Sequence, residues 1–190
     1  IPYTFRCINR LDRDTTGVTR LAKHMLSASV LSKAMQQKQI QKEYLALCDG
    51  IAPKEGTINA PICRAADSVI ERCVDFENGD SAVTHFIREW TNGQISLVRI
   101  RPETGRTHQI RVHMAYIGHP RAGDTLYGGS DILLHRHALH CGILAFAHPL
   151  TGEPLRVECP LPEDMAALAR QEKLLTGWQL HSLPCGADPT

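Results

Sequence analysis

Asn9-Arg10-Leu11-Asp12-Arg13-Asp14-Thr15-Thr16-Gly17 is the stretch on which the chain turns. It sets two carboxylates among arginines, follows them with two adjacent hydroxyls, and ends in a glycine that frees the backbone to turn. Apolar strand residues of the kind that bury a structural ion pair are sparse in it. Cations on both sides of Asp12 favour its ionised form, so the loop presents a charged group ready to act. A second stretch of like character runs Arg101-Pro102-Glu103-Thr104-Gly105-Arg106-Thr107-His108-Gln109-Ile110-Arg111-Val112-His113. The remainder reads as the frame that brings the two together.

Outward from the first stretch, Tyr3 to Ile8 is a short β-prone lead-in. A helix is predicted over residues 27–39, where Val30, Leu31, Ala34 and Met35 recur at one-turn spacings and Ser27 or Ser29 can cap. Lys42 to Cys48 predicts a strand closed by the Asp49-Gly50 turn, and Pro53 to Ile62 a loop with at most a short strand. Ala82 to Trp90 and Gln94 to Arg101 make a hairpin across Thr91-Asn92-Gly93. Thr107 to Ile117 fits either period. Its length, a capping Thr107 and the stop at Gly118 and Pro120 favour a helix, with His108 and Arg111 on its exposed edge. Strands over His137 to Ala147 and Pro154 to Glu158 follow, separated by a turn at Pro149 to Glu153. A helix over Pro162 to Leu174 comes next, and disorder is expected from about Leu183. The sum is one α+β domain over residues 1–190, a mixed, largely antiparallel β-sheet flanked by helices and loops.

Composition agrees: 190 residues, 43% hydrophobic and 22% charged, suit a single globular domain with its own core. No apolar run approaches the roughly 18 residues of a membrane span, and no signal peptide opens the chain. The opening Ile1-Pro2, without Met, predicts that an N-terminal segment has been lost. The net charge of +1 hides segregation. Residues 1–42 carry eight cations against Asp12 and Asp14, and residues 99–121 five arginines and three histidines against Glu103. Acids gather instead around Glu71, Asp75, Glu77 and Asp80, a division that suits a polyanionic partner on one face. Seven cysteines, at 7, 48, 63, 73, 141, 159 and 185, form no CxxC pair and suit a reducing cytoplasm rather than a disulfide scaffold. His135, His137, His140 and Cys141 lie in a strand-like run with no second ligand cluster, so no metal site is expected.

Four blocks, in order and spacing, resemble the RluA-type pseudouridine synthases: NRLDRDTTG, then KEYLALCDG from Lys42 to Gly50, TGRTHQIRVHMAYIGHPRAGDTLYGG from Thr104 to Gly129, and LHRHALHCGILAFAHPLTGEPL to Leu155. The likeness spans roughly residues 5 to 165. It implies isomerisation of uridine to pseudouridine in ribosomal or transfer RNA by a cytoplasmic monomer with no cofactor. It also implies roles for residues. Asp12 takes the place of the catalytic aspartate, Arg111 of the arginine that pairs with it, and Tyr44 of the tyrosine that packs on the flipped base. Arg10 matches the residue that fills the space the base leaves. Arg13, Arg106 and His108 are the expected phosphate contacts, and Asp14 is expected to shape the turn. Asn9 and Thr16 depart from the His and Ser common there, bearing on substrate choice rather than catalysis.

Two other readings compete. Asp12-Arg13-Asp14-Thr15-Thr16 spells the DxDxT of a phosphatase loop, which needs an apolar strand before it and a later acidic pair; this chain offers neither. A non-catalytic RNA-binding module of the same fold is the other, set against the retention of Asp12, Tyr44 and Arg111.

Overall fold

The computed structural model describes residues 5–172. Its backbone is a sheet built on β4 (Gln41–Asp49), with β9 (Ile95–Pro102) and β10 (Leu139–Ala147) on either side. Strands β8 (Val83–Thr91) and β5 (Glu55–Asn59) extend one edge, and β11 (Pro154–Glu158) closes the other. Every pairing in this sheet is antiparallel except one, the two-residue β2 (Thr16–Gly17), which lies parallel to β10. Two small ladders stand apart: β1 (Arg6–Cys7) with β3 (Leu21–Ala22), and β6 (Ile62–Arg64) with β7 (Arg72–Val74).

Period-two alternation explains why β4 reads as one apolar run. Tyr44, Ala46 and Cys48 join a core with Val98, Ile100, Ile110 and Met114, under helix α2 (Gln109–Tyr116). Leu45 and Leu47 point to the other face and pack with Leu97, Met165 and Leu168, under α3 (Glu163–Gln171). A strand covered on both faces carries apolar side chains at nearly every position.

Several expectations are corrected. Helix α1 spans Met25–Gln36 and starts at His24, without a side-chain cap. The serines are therefore inside the helix, and the exposed Met25 and Leu26 hide its true start from a hydrophobic pattern. The segment from Pro53, read as a loop with at most a short strand, contains the five-residue β5, paired with β8 from Glu55↔Ile87 to Asn59↔Val83. Thr107 does not cap α2: the cap position is His108, in the left-handed region at φ 58°. Gln109 organises that entry instead, its Oε1 accepting from the Arg106 amide at 3.0 Å and the Thr104 hydroxyl at 2.7 Å. Cys63 and Cys73 face each other across β6 and β7 with sulfurs 3.4 Å apart, as free thiols. The hairpin at Thr91-Asn92-Gly93 forms as expected, Asn92 Oδ1 accepting from the amides of Gln94 and Ile95. The tail from Leu183, and the last residues of the expected C-terminal helix, lie outside the described residues.

Candidate active site

A tight turn builds the Asp12 loop. The Thr15 amide donates to the Asp12 carbonyl at 3.0 Å, and Asp14 adopts φ 68°. Asp14 is exposed, and its carboxylate lies 3.9 Å from the neighbouring Arg13. The loop then runs along β10. Thr16 and Gly17 pair with His140 and Cys141, and the Val18 amide donates to the Cys141 carbonyl at 2.9 Å. Side chains repeat this attachment: Thr15 Oγ1 lies 2.8 Å from His137 Nε2, and Thr16 Oγ1 2.9 Å from His140 Nδ1. Behind the loop, Asn9 Oδ1 accepts from the Arg20 amide at 2.9 Å.

A cavity of about 590 Å³ opens beside it, with Asp12, Arg10 and Thr15 on one wall, Lys42 and Tyr44 on the floor strand, and the segment from Pro102 to Ile110 opposite. The two stretches singled out in the sequence therefore meet across one space. Tyr44 is 8% exposed. Burial raises its phenol well above the ordinary range, with the neighbouring Cys141 and the Asp12 charge adding to the shift, so it is a neutral hydroxyl at pH 7. Arg10 is exposed at the rim.

Arg111 departs from expectation. It is buried, not on an exposed edge, and its Nε and Nη2 donate to Asp124 at 3.1 and 2.7 Å rather than to Asp12. Its guanidinium also lies over the Tyr127 ring, 4.9 Å from the centroid. Asp124 takes a second cation, Arg121, through Nη2, while Arg121 Nε and Nη1 have no hydrogen-bond partner. Arg121 is fully buried, and burial pulls its guanidinium down to about 9. A shared carboxylate is the physical reason for the departure: two buried guanidiniums need one, and Asp124 lies between them. Sequence reading missed Asp124 and Arg121. The only signal was an acid and a cation in a glycine-rich loop, and their contact with Arg111 exists only in the fold.

The remaining expected contacts divide. Arg13 has a side chain 95% exposed. Arg106 lines the cavity, yet its Nε donates to the Ser81 carbonyl at 3.1 Å and its Nη1 lies 3.7 Å from Asp80. His108 turns to the Tyr127 hydroxyl, 2.9 Å from Nδ1, and burial, with Arg111 adding, lowers its pKa, leaving a neutral ring at pH 7. The basic run at residues 99–121 is thus largely satisfied from within. Arg99 and Arg101 both pair with Glu43, as Arg111 and Arg121 do with Asp124. Among the described residues no helix is long and apolar enough to cross a membrane.

Comparison with known proteins gives the chain a family. The RNA pseudouridylate synthase family matches residues 2–116. Bacillus subtilis "Uncharacterized RNA pseudouridine synthase YjbO" is 48% identical over 170 residues, covering 89% of this chain and 60% of its own length. Vibrio vulnificus "Ribosomal large subunit pseudouridine synthase D" is 39% identical over 196 residues, covering 93% of this chain and 58% of its own. The chain thus spans little more than half the length of these relatives. Among solved structures, "Human RNA Pseudouridylate Synthase Domain Containing 1" superposes with a TM-score of 0.77 at 27% identity, over 98% of this chain and 83% of that one. The DxDxT phosphatase reading gives way to these matches. The chain belongs to the RNA pseudouridylate synthase family, and within it to the RluA type that its two stretches resemble.

Proposed function

We propose that the protein isomerises uridine to pseudouridine in RNA, with Asp12 acting on a uridine flipped into the cavity. The reaction breaks the N1–C1′ bond, turns the uracil over and rejoins it through C5. Atoms and electrons balance without a cofactor. A stacked base is out of reach of any side chain, so it must leave the helix, at a cost of a few kcal/mol. The observation that carries the reading is the single cavity joining Asp12 to Tyr44 and to the Pro102–Ile110 segment. Tyr44 offers an aromatic face, worth roughly 1–3 kcal/mol per stacked base. Arg10 stands where it can enter the space the base leaves. Arg13 and Arg106 are the phosphate contacts, with His108 supporting Tyr127 beside Arg111. The relatives named for the large ribosomal subunit make ribosomal RNA the first substrate to try, with transfer RNA the second. Cysteine usage supports a cytoplasmic enzyme, and a monomer is the state proposed for it.

The test is pseudouridine formation in large-subunit ribosomal RNA and in transfer RNA by wild type, Asp12→Ala and Asp14→Asn. Wild type and Asp14→Asn should modify at least one of the two. Asp12→Ala should bind but leave uridine unchanged. Equal conversion by wild type and Asp12→Ala removes Asp12 from the mechanism. Binding without conversion by wild type means that the fold serves here as an RNA-binding module.

A further inference from the structure

Two buried histidines of the fourth sequence block have found a use that the reaction itself does not name. His137 is 4% exposed and His140 1%, and each meets a hydroxyl of the Asp12 loop. His140 is oriented from behind. Its Nε2 lies 3.0 Å from the Cys159 carbonyl, which can only accept, so Nε2 carries the hydrogen and Nδ1 accepts from Thr16. His137 reaches Thr15, which itself lines the cavity three residues from Asp12. Arg136 adds a third tie, Nη1 donating to the Asp14 carbonyl at 3.2 Å.

These ties matter because little else fixes the loop. Its ladder with β10 has only two register pairs, Thr16 with His140 and Gly17 with Cys141, and Asp12 lies upstream of both. Asp12 takes part in none of the ion pairs among the described residues, so its direction is inherited from the turn and from Thr15 and Thr16. We propose that His137 and His140 are positioning residues, which hold the Thr15 and Thr16 hydroxyls and so aim the Asp12 carboxylate into the cavity. This rests on the reading of Asp12 as the acting group. Misplacing a reacting group by about 1 Å can cost about a hundredfold in rate, while binding of the RNA backbone should barely respond.

The experiment compares wild type with Thr15→Val, His137→Phe, His137→Gln and the double Thr15→Val/His137→Phe, with Thr16→Val for the second tie. Single-turnover pseudouridine formation, RNA affinity and amide hydrogen exchange over residues 12–17 are read on each. Thr15→Val and His137→Phe should lose roughly ten- to a hundredfold in rate, with affinity within about twofold. His137→Gln, which can still hydrogen-bond the hydroxyl, should recover most of the rate. The double variant should be no slower than the slower single, because both remove one bond. Exchange should quicken at residues 12–17 in the slow variants and return in His137→Gln. Rates within twofold of wild type, or losses that multiply in the double, overturn the proposal. Should wild type modify no RNA, the functional reading falls, and the exchange data still decide whether the histidines hold the loop. Should His137→Phe not fold, Thr15→Val and His137→Gln carry the same comparison.

Discussion

Arg111 and Asp124 form a bidentate ion pair, Nε to Oδ2 and Nη2 to Oδ1, beneath the candidate site. Because Arg121 holds the same carboxylate, Asp124 serves two guanidiniums, of 8% and 0% exposure. Removing a lone partner of a buried pair costs about 3–5 kcal/mol. Asp124→Ala should therefore destabilise by at least that much, since it strands both cations. Arg111→Met should cost less, because Asp124 keeps Arg121. Urea unfolding of the two variants gives the order directly, and an equal loss would show that Asp124 is not shared.

Gly17 is the other fixed point of the loop. Its φ of 116° is costly for any L side chain, and a Cβ there would stand 2.2 Å from the Cys141 carbonyl oxygen. Gly17→Ala must break the β2–β10 pairing or twist the loop that carries Asp12. Loss of most activity together with a lowered melting temperature is expected. By contrast Gly93→Ala, with nothing within 4 Å but a φ of 97°, should lower the melting temperature and spare activity. Full activity in Gly17→Ala would show that the loop's seat on β10 does not position Asp12.

Arg13 and Arg106, paired in expectation, separate in the fold. Arg13 stands in solvent, so Arg13→Ala should flatten the dependence of log affinity on log salt by about 0.7–0.9, one phosphate contact. Arg106 shares its charge with Asp80 and one donor with the Ser81 carbonyl. Its removal should flatten the slope less, and lower stability more, than that of Arg13. Filter binding of RNA across a salt series distinguishes the two.

Why some of this was legible in sequence and some not follows from the length scale of each signal. Helix α2, ambiguous by period, is legible from its length and the stop at Gly118 and Pro120, and the β8–β9 hairpin from alternation and Asn92-Gly93 chemistry, signals that neighbouring residues alone decide. The meeting of the Asp12 loop with the Arg101–His113 stretch was expected from motif order, and the fold provides the shared cavity. What escaped was the individual side-chain pairs distant in sequence. Thr15 and His137 are 122 positions apart, and nothing local to either says that they touch. Arg111 is matched to Asp12 by resemblance, whereas its hydrogen bonds in the fold go to Asp124, a partner that no local pattern points to. Strand β5 reads only as a short strand at most within a loop, since its alternation is short and Gly56 interrupts it, although the Gly56 site packs closely on Phe86.

The last prediction concerns acid. His113, His137 and His140 are buried, and burial is the leading cause that lowers the pKa of each; His137, with Arg121, Arg111 and Arg136 around it, falls to about 3. Each is therefore neutral in the fold at pH 7, and His137, the most shifted, stays so until far below the ordinary value near 6.5 that it regains when the chain unfolds. Between those limits the unfolded chain binds more protons, so stability rises with pH. The His137 contribution is present in full above about pH 7 and is lost as pH falls through 6.5 towards 3, with His113 and His140 acting in the same direction. For His137 alone the loss between pH 7 and pH 5 is roughly 2 kcal/mol. Urea unfolding at pH 7, 6 and 5 should show a declining midpoint, and His137→Gln, which removes the titrating ring but can keep the bond to Thr15, should make the decline shallower. An unchanged slope in His137→Gln would mean that His137 is not held neutral, and the acid sensitivity would have to come from His113 and His140.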